Sequence, residues 1–368
     1  MSLATTVDSG HPSAPPADDA LPARLGLALE DFLRERPHAE LAPELAEEVR
    51  ALVLGGGKRV RPTFAWWGWR AAGGAPRGQA AETALRALVA LELLQACALV
   101  HDDVMDRSTT RRGRPAAHRA FATRHRRARW AGDSRHYGDC AAILVGDLAL
   151  AWADDALVGA GLDPAALRRA WRPWQAMRTE MMAGQHLDLV ATARREESLE
   201  ETLRVARFKT AAYTVERPLH LGAALADAPA ALVEALRAFG RDVGVAFQLR
   251  DDLLGVFGDV AVTGKPVGDD LREGKRTPLV ATALGLARAA GRERDVRLLR
   301  DCLGGPIDEE TVARVRALLV ELGAVAAIEE RIGALTARGL QALEGVAVEP
   351  VARERLVRLA AEATARKY

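Results

Sequence analysis

The sequence predicts an all-α fold, and three observations lead there. Apolar residues make up 49% of the chain but aromatic residues only 5%, a balance that suits Ala/Leu-rich helices better than strands. The chain reads as a succession of 3.6-residue periodicities punctuated by Gly, Pro or charged turns. No series of alternating segments suggests strands, and no fixed-period repeat interrupts the succession.

Taken in order, residues 1–24 read as a disordered lead-in, because 9–22 are rich in Pro, Ala and Asp and show no basic-then-apolar targeting pattern. Helical patterns follow at 25–36, 41–54, 60–72, 80–106, 137–158, 164–184, 199–226, 229–257 and 275–290, with amphipathic segments from 308 to the end. The middle helices are apolar nearly all round, as expected of central rods in a large bundle. Pro218 falls inside one of them and predicts a kink there. Between Arg107 and Arg135 the chain is Arg-rich with little periodicity, and its distal part, 118–135, reads as a solvated loop. No shift in composition divides residues 25–368, which are read as one helical domain.

Charge and cysteine usage narrow the function. A formal net charge of +1 provides no global attraction to nucleic acid or anionic lipid, so any phosphate binding must be local. Cys97, Cys140 and Cys302 lie far apart, which fits a reducing cytoplasmic compartment better than a disulfide framework. The apolar stretch 85–100 is interrupted by Arg86, Glu92 and Gln95 and reads as a buried helix, not a membrane span. Of 51 basic residues only five are lysine, and Lys58, Lys209, Lys265 and Lys275 all fall in the segments singled out next.

Two acidic clusters end apolar helices. In the first, Asp102 and Asp106 are one turn apart with Asp103 beside them. Three carboxylates at a helix C-terminus repel one another and the dipole, so the arrangement calls for cations. Hard oxygen ligands of this kind suit Mg²⁺ completed by substrate phosphates. The second cluster places Gln248, Asp251, Asp252 and Gly255 on one helix face. Two such faces across a bundle could hold several divalent ions and a diphosphate. Gly/Lys segments at 55–62 and 264–277, with Lys209-Thr210, supply local positive charge. The first is neither a Walker loop nor a dinucleotide fingerprint.

With these motifs the sequence resembles the trans-polyprenyl diphosphate synthase family over nearly all of residues 25–368, most closely a short-chain geranylgeranyl diphosphate synthase. The matches run in order: GGGKRVRP at 55–62, LLQACALVHDDVMDRSTTRRGRP at 93–115, GDLALAWADD at 146–155, GQHLDL at 184–189, FKT at 208–210, FQLRDDLLGVFGD at 247–259 and GKPVGDDLREGKRTP at 264–278. The resemblance implies an isoprenoid-synthase bundle around a central active-site cavity. It also implies condensation of isopentenyl diphosphate with dimethylallyl, geranyl or farnesyl diphosphate by ionisation, condensation and elimination.

Residue by residue, it implies that Asp102, Asp106 and Asp251 hold Mg²⁺ (three ions, with Mn²⁺ able to substitute), and that Asp103 and Asp252 act through metal-bound water. Arg111, Lys209 and Lys265 would grip the allylic diphosphate. Lys58, Arg61, Gln95 and Arg112 would form the isopentenyl diphosphate pocket. Thr210 and Gln248 would face the developing cation, and Lys275 would help close the site. The family pairs as homodimers. One departure stands out: Gly255 replaces the last Asp of the second Asp-Asp-x-x-Asp motif, with Asp259 a candidate to compensate.

Product length follows from the helix ending at Asp106. Each helical turn is about 5.4 Å, roughly one extended isoprene unit, so residues one turn below Asp102 form a floor. Cys97 and Ala98 are small, which predicts elongation beyond C15 to geranylgeranyl diphosphate (C20), with Leu94 a deeper floor. A class I terpene cyclase is the main rival, but it has no use for Lys58, Arg61 and Gln95. A non-catalytic partner subunit is the other, hinted at by Gly255 alone.

Overall fold

The computed structural model describes residues 18, 20–36, 39–258, 268–305 and 307–364. Among the described residues the architecture is helical, with one two-stranded hairpin, Thr110–Arg111 against Arg114–Pro115.

The first half comprises α1 (Leu21–Arg34), α2 (Pro43–Leu54), α3 (Val60–Ala71), α4 (Gln79–Met105), α5 (Ala117–Arg127), α6 (Ser134–Val158) and α7 (Pro164–Arg194). α8 (Leu199–Val205) runs into a π-helical stretch, Ala206–Glu216, and then α9 (Arg217–Leu225). After α10 (Ala230–Phe257) come a short turn α11 (Asp269–Glu273), α12 (Pro278–Ala289), α13 (Glu293–Asp301), α14 (Glu309–Glu321), α15 (Ala324–Gln341) and α16 (Pro350–Thr364).

Local chemistry sets many of these starts. Asp163 accepts from the amides of Ala165 and Ala166 just before Pro164, Ser198 caps α8 through Glu201, Thr277 caps α12 through Val280, and Asp308 caps α14 through Thr311. Each such cap contributes about 1 kcal/mol. α1 begins at Leu21, four residues ahead of the expected start, because Pro22 suits a first turn and Leu21 is already buried.

α4 is the central rod. It is long and apolar enough to cross a membrane by composition alone, yet most of it is buried, which makes it a core helix. The main core gathers around α3, α4, α6, α7 and α9, while the second half of α10 packs with α12–α15 in a second cluster. Gly68 and Gly222 let α3 and α9 touch backbone to backbone: a Cβ at Gly222 would lie 2.7 Å from the Trp69 amide, and one at Gly68 would lie 3.0 Å from Cα of Leu219.

Two expectations are refined. Residues 118–135 form an exposed loop only over 128–133, because α5 occupies Ala117–Arg127 and buries Ala117, His118, Phe121, Ala122 and His125 on one face, and α6 begins at Ser134. Pro218 does sit inside a continuous helical run, because α9 follows directly on the π-helical stretch, and the irregularity there takes the form of that stretch just before the proline.

Candidate active site

The ends of α4 and α10 face one cavity of about 290 Å³. Its wall includes Asp102 and Arg111 from the first motif, Lys209 and Thr210 from the π-helical stretch, and Gln248, Asp251 and Asp252 from α10. Arg61, Lys275 and Asp270 complete the polar rim, and Ala98, Leu99, Met181, Val205 and Phe247 supply apolar surface below.

Close packing delivers Lys209. A Cβ on Gly184 of α7 would come within 2.5 Å of Lys209 Cα, and one on Gly244 of α10 within 2.8 Å of Ala211. The π-helical stretch is therefore held between two glycine faces, with Lys209, Thr210 and Tyr213 turned to the cavity. Lys209 Nζ donates to Asp102 (3.1 Å) and Asp188 (2.6 Å). Burial opposes that charge, but Asp102 and Asp188 outweigh it and hold the ammonium above its ordinary pKa.

Burial likewise works against the charge of Asp102, yet Lys209, Lys275 and Arg111 together keep its carboxyl below the usual value. Gln185 also donates to Asp102 at 3.0 Å. Asp106 fares differently. Burial first, then the neighbouring Asp102, raises it to about 6, even with Lys275 Nζ 4.0 Å away. Lys275 in turn meets Asp270 at 3.4 Å and Glu273 at 2.7 Å, joining the first acidic cluster to the loop beyond the second.

Asp103 is 2% exposed and accepts both Nε (3.0 Å) and Nη2 (2.5 Å) of Arg111. This fork leaves Arg111 aimed at Asp102, 3.7 Å away. Asp103 thus orients Arg111 in this state instead of facing the cavity. Across the cavity Asp251 is exposed, whereas Asp252 is buried and accepts from Gln248 at 2.7 Å. Burial and then Asp270 push the Asp252 carboxyl well above its ordinary value.

The residues expected to bind a second diphosphate are spread over adjoining surfaces. Arg61 reaches the cavity, stacks over the Tyr213 ring at 4.0 Å and donates to Thr214 at 2.9 Å. Gln95 lies behind it and accepts from the Tyr213 hydroxyl. Lys58 lines a neighbouring groove with Trp67 and Arg355. Arg112 sits in the left-handed region (φ 53°), beside Gly113 (φ 74°), the pattern of a tight hairpin turn. From there it donates to the Gly56 carbonyl at 2.5 Å.

Among the floor residues, Ala98 reaches the cavity with Met181 of α7. Cys97 and Leu94 are fully buried and are not part of the wall. Cys97 lies 3.7 Å from His101 Nδ1, and burial lifts its thiol to about 12. Lys265 and Asp259 lie outside the described residues.

Three cavity residues carry roles the sequence reading did not give them: Gln185, Asp188 and Asp270. Gln185 and Asp188 fall within the GQHLDL segment, one turn or less apart on α7, so helical spacing was the available signal. Asp270 has no such local signal.

The donor set fits Mg²⁺. Asp102, Asp106, Asp251 and Asp252 are hard oxygen donors, and the buried Oδ2 of Asp252 has no hydrogen-bond partner among the described residues. Among those residues no three His, Cys, Asp or Glu side chains converge to cage an ion alone. Mg²⁺ bound through one or two carboxylates plus phosphate oxygens needs no such cage.

Residues 42–321 match the polyprenyl synthetase family model. The (2E,6E)-farnesyl diphosphate synthase of Mycobacterium tuberculosis is 36% identical over 267 residues, 73% of this chain and 67% of that one. The geranylfarnesyl diphosphate synthase of Aeropyrum pernix is 32% identical over 76% of this chain and 80% of its own length. A geranylgeranyl pyrophosphate synthase from Corynebacterium glutamicum, solved with isoprenyl diphosphate and magnesium, superposes with a TM-score of 0.89 at 44% identity, covering 95% of this chain and 99% of that one. The opposed carboxylate clusters, the lysines between them and these matches agree: the chain belongs to the polyprenyl synthetase family and is a prenyl diphosphate synthase, a transferase.

Proposed function

We propose that the enzyme condenses isopentenyl diphosphate with allylic diphosphates to give a trans short-chain prenyl diphosphate, and that it stops at geranylgeranyl diphosphate (C20). The observation that carries the reading is the cavity itself, lined by carboxylates from α4 and α10, by Lys209, Lys275 and Arg111, and by apolar Ala98 and Met181.

Asp102, Asp106 and Asp251 would hold Mg²⁺, three ions per site with Mn²⁺ able to substitute. When bound, the metal supplies electrostatic stabilisation of the negative charge on the departing diphosphate. Lys209 and Arg111, each already aimed at Asp102, would turn to the allylic diphosphate, together with Lys265. Lys58, Arg61, Gln95 and Arg112 would position isopentenyl diphosphate. Its double bond then attacks the allylic cation, which Thr210 and Gln248 face, and the proton lost passes to the departed diphosphate. Lys275 would close the mouth.

C20 is supported by the small Ala98 in the cavity wall, where a chain longer than C15 needs room. Pairing as a homodimer is supported by α6, whose outer stripe exposes Ile143 (45%) and Leu144 (54%). A cytoplasmic location goes with free, well-separated cysteines. Product length is tested by supplying isopentenyl diphosphate with each of the C5, C10 and C15 primers and separating products by chain length. Accumulation of C20 from all three is expected, and termination at C15 would overturn the C20 assignment. Sedimentation would test the dimer.

A further inference from the structure

Gly255 stands one helical turn after Asp251, where the second acidic motif ordinarily carries its last carboxylate. Its surroundings are not empty. A Cβ built on Gly255 would come within 2.7 Å of Asp270 Cγ, closer still to Oδ2, and 3.4 Å from Oδ1. The space a side chain at 255 would fill is taken by the carboxylate of Asp270.

We propose that Asp270 supplies, from the following loop, the third carboxylate that Gly255 withholds from the α10 cluster, and that glycine at 255 is what admits it. This inference rests on the prenyl diphosphate synthase reading.

Three features place Asp270 for that task. It lines the same cavity as Asp251 and Asp252. Its turn, α11, is bracketed by Gly268 (φ 76°) and Gly274 (φ 74°), conformations that glycine adopts without strain. The Lys275 amide closes the turn by donating to the Asp270 carbonyl at 3.0 Å, and the Lys275 ammonium lies 3.4 Å from Oδ1. Asp252, 5% exposed, keeps an Oδ2 without a hydrogen-bond partner among the described residues. A divalent ion between these groups would satisfy both.

The geometry also makes 255 and 270 exclusive. A carboxylate fits at one position or the other, not at both in this arrangement. Gly255→Ala should displace Asp270 although it removes no charge. Moving the carboxylate, by Gly255→Asp with Asp270→Ala to clear the space it needs, should restore three acids on that side. A lost Lys275–Asp270 contact alone would not be repaired by an acid on α10, so the double variant separates a metal role from a structural one.

The test is Mn²⁺ binding, followed by electron paramagnetic resonance in the presence of inorganic diphosphate, for the full chain and the three variants, with thermal unfolding to verify folding. Asp270→Ala and Gly255→Ala should each weaken binding about 10- to 100-fold, the range for losing a group that supports a metal. Gly255→Asp with Asp270→Ala should recover most of it. Unchanged binding in Asp270→Ala, or a double variant no better than Asp270→Ala alone, would overturn the inference. Absence of binding by the unaltered chain would overturn the synthase reading with it.

Discussion

Lys209 pairs with two carboxylates at once, Asp102 on α4 and Asp188 on α7, a task suited to a lysine in a chain that otherwise uses arginine. A compact ammonium on a flexible stem can leave those partners for a diphosphate, whereas a planar guanidinium would be held in one fork. Replacement of Lys209 by Met should lower kcat/KM about 10²- to 10³-fold, the usual effect of removing one preorganised charge from a reacting group. Steady-state kinetics, with circular dichroism to confirm folding, would check it.

Asp106 makes a second prediction at the same scale. Its pKa is raised to about 6, so the folded chain binds this proton more tightly than the unfolded chain does. That contribution to stability is fully present below the ordinary aspartate value and is lost as pH rises to about 6. With Asp106 as the proposed Mg²⁺ ligand, the ion would compete with the same proton, and its affinity should fall as pH drops below about 6. Calorimetric titration across that range should show the dependence, and Asp106→Asn should remove it. The acids and lysines of this site were legible because they fall in dense motifs. Asp270 was not, since its role depends on a contact with a glycine that only folding creates.

At the scale of elements, glycine decides how closely helices meet. Gly184 and Gly222 both allow backbone contact, but only Gly184 abuts Lys209. Alanine at either position should destabilise the chain by about 1–3 kcal/mol through overpacking. Gly184→Ala should also lower kcat by displacing Lys209, while Gly222→Ala should leave kcat near its original value. Thermal unfolding and kinetics on the two variants separate these outcomes.

Ala98 projects into the cavity at the same depth of α4 where Cys97 turns away toward His101. Phenylalanine at 98 should therefore shift products toward C15, and phenylalanine at 97 should destabilise the core; chromatography of products and melting curves would read the difference. The sequence treated these two neighbours alike because both are small, and only their rotation about α4 tells them apart. α5 was missed for a related reason. Its buried positions recur every three or four residues, but Arg119, Arg124, Arg126 and Arg127 dilute the pattern.

Across the whole molecule, a chain of nearly neutral charge brings a local cluster of carboxylates and cations to one cavity. The apolar rods α4 and α10 carry acidic ends to a common cavity, and that arrangement was readable in advance because each rod's periodicity ends in its motif. Which lysines pair with these carboxylates was not readable, because they lie far along the chain: Lys209 is 107 residues from Asp102. The internal ion pairs hold mutually repelling carboxylates together, and in the proposed reaction substrate binding would exchange them for metal and diphosphate contacts.

The most direct measurement is condensation itself: isopentenyl diphosphate with an allylic diphosphate, with and without Mg²⁺, followed by release of diphosphate and by product length. Mg²⁺-dependent release of one diphosphate for each isoprene unit added, with a linear product, is the expected result. No condensation with any of the C5, C10 or C15 primers, or a cyclised hydrocarbon from a single allylic substrate, would contradict it.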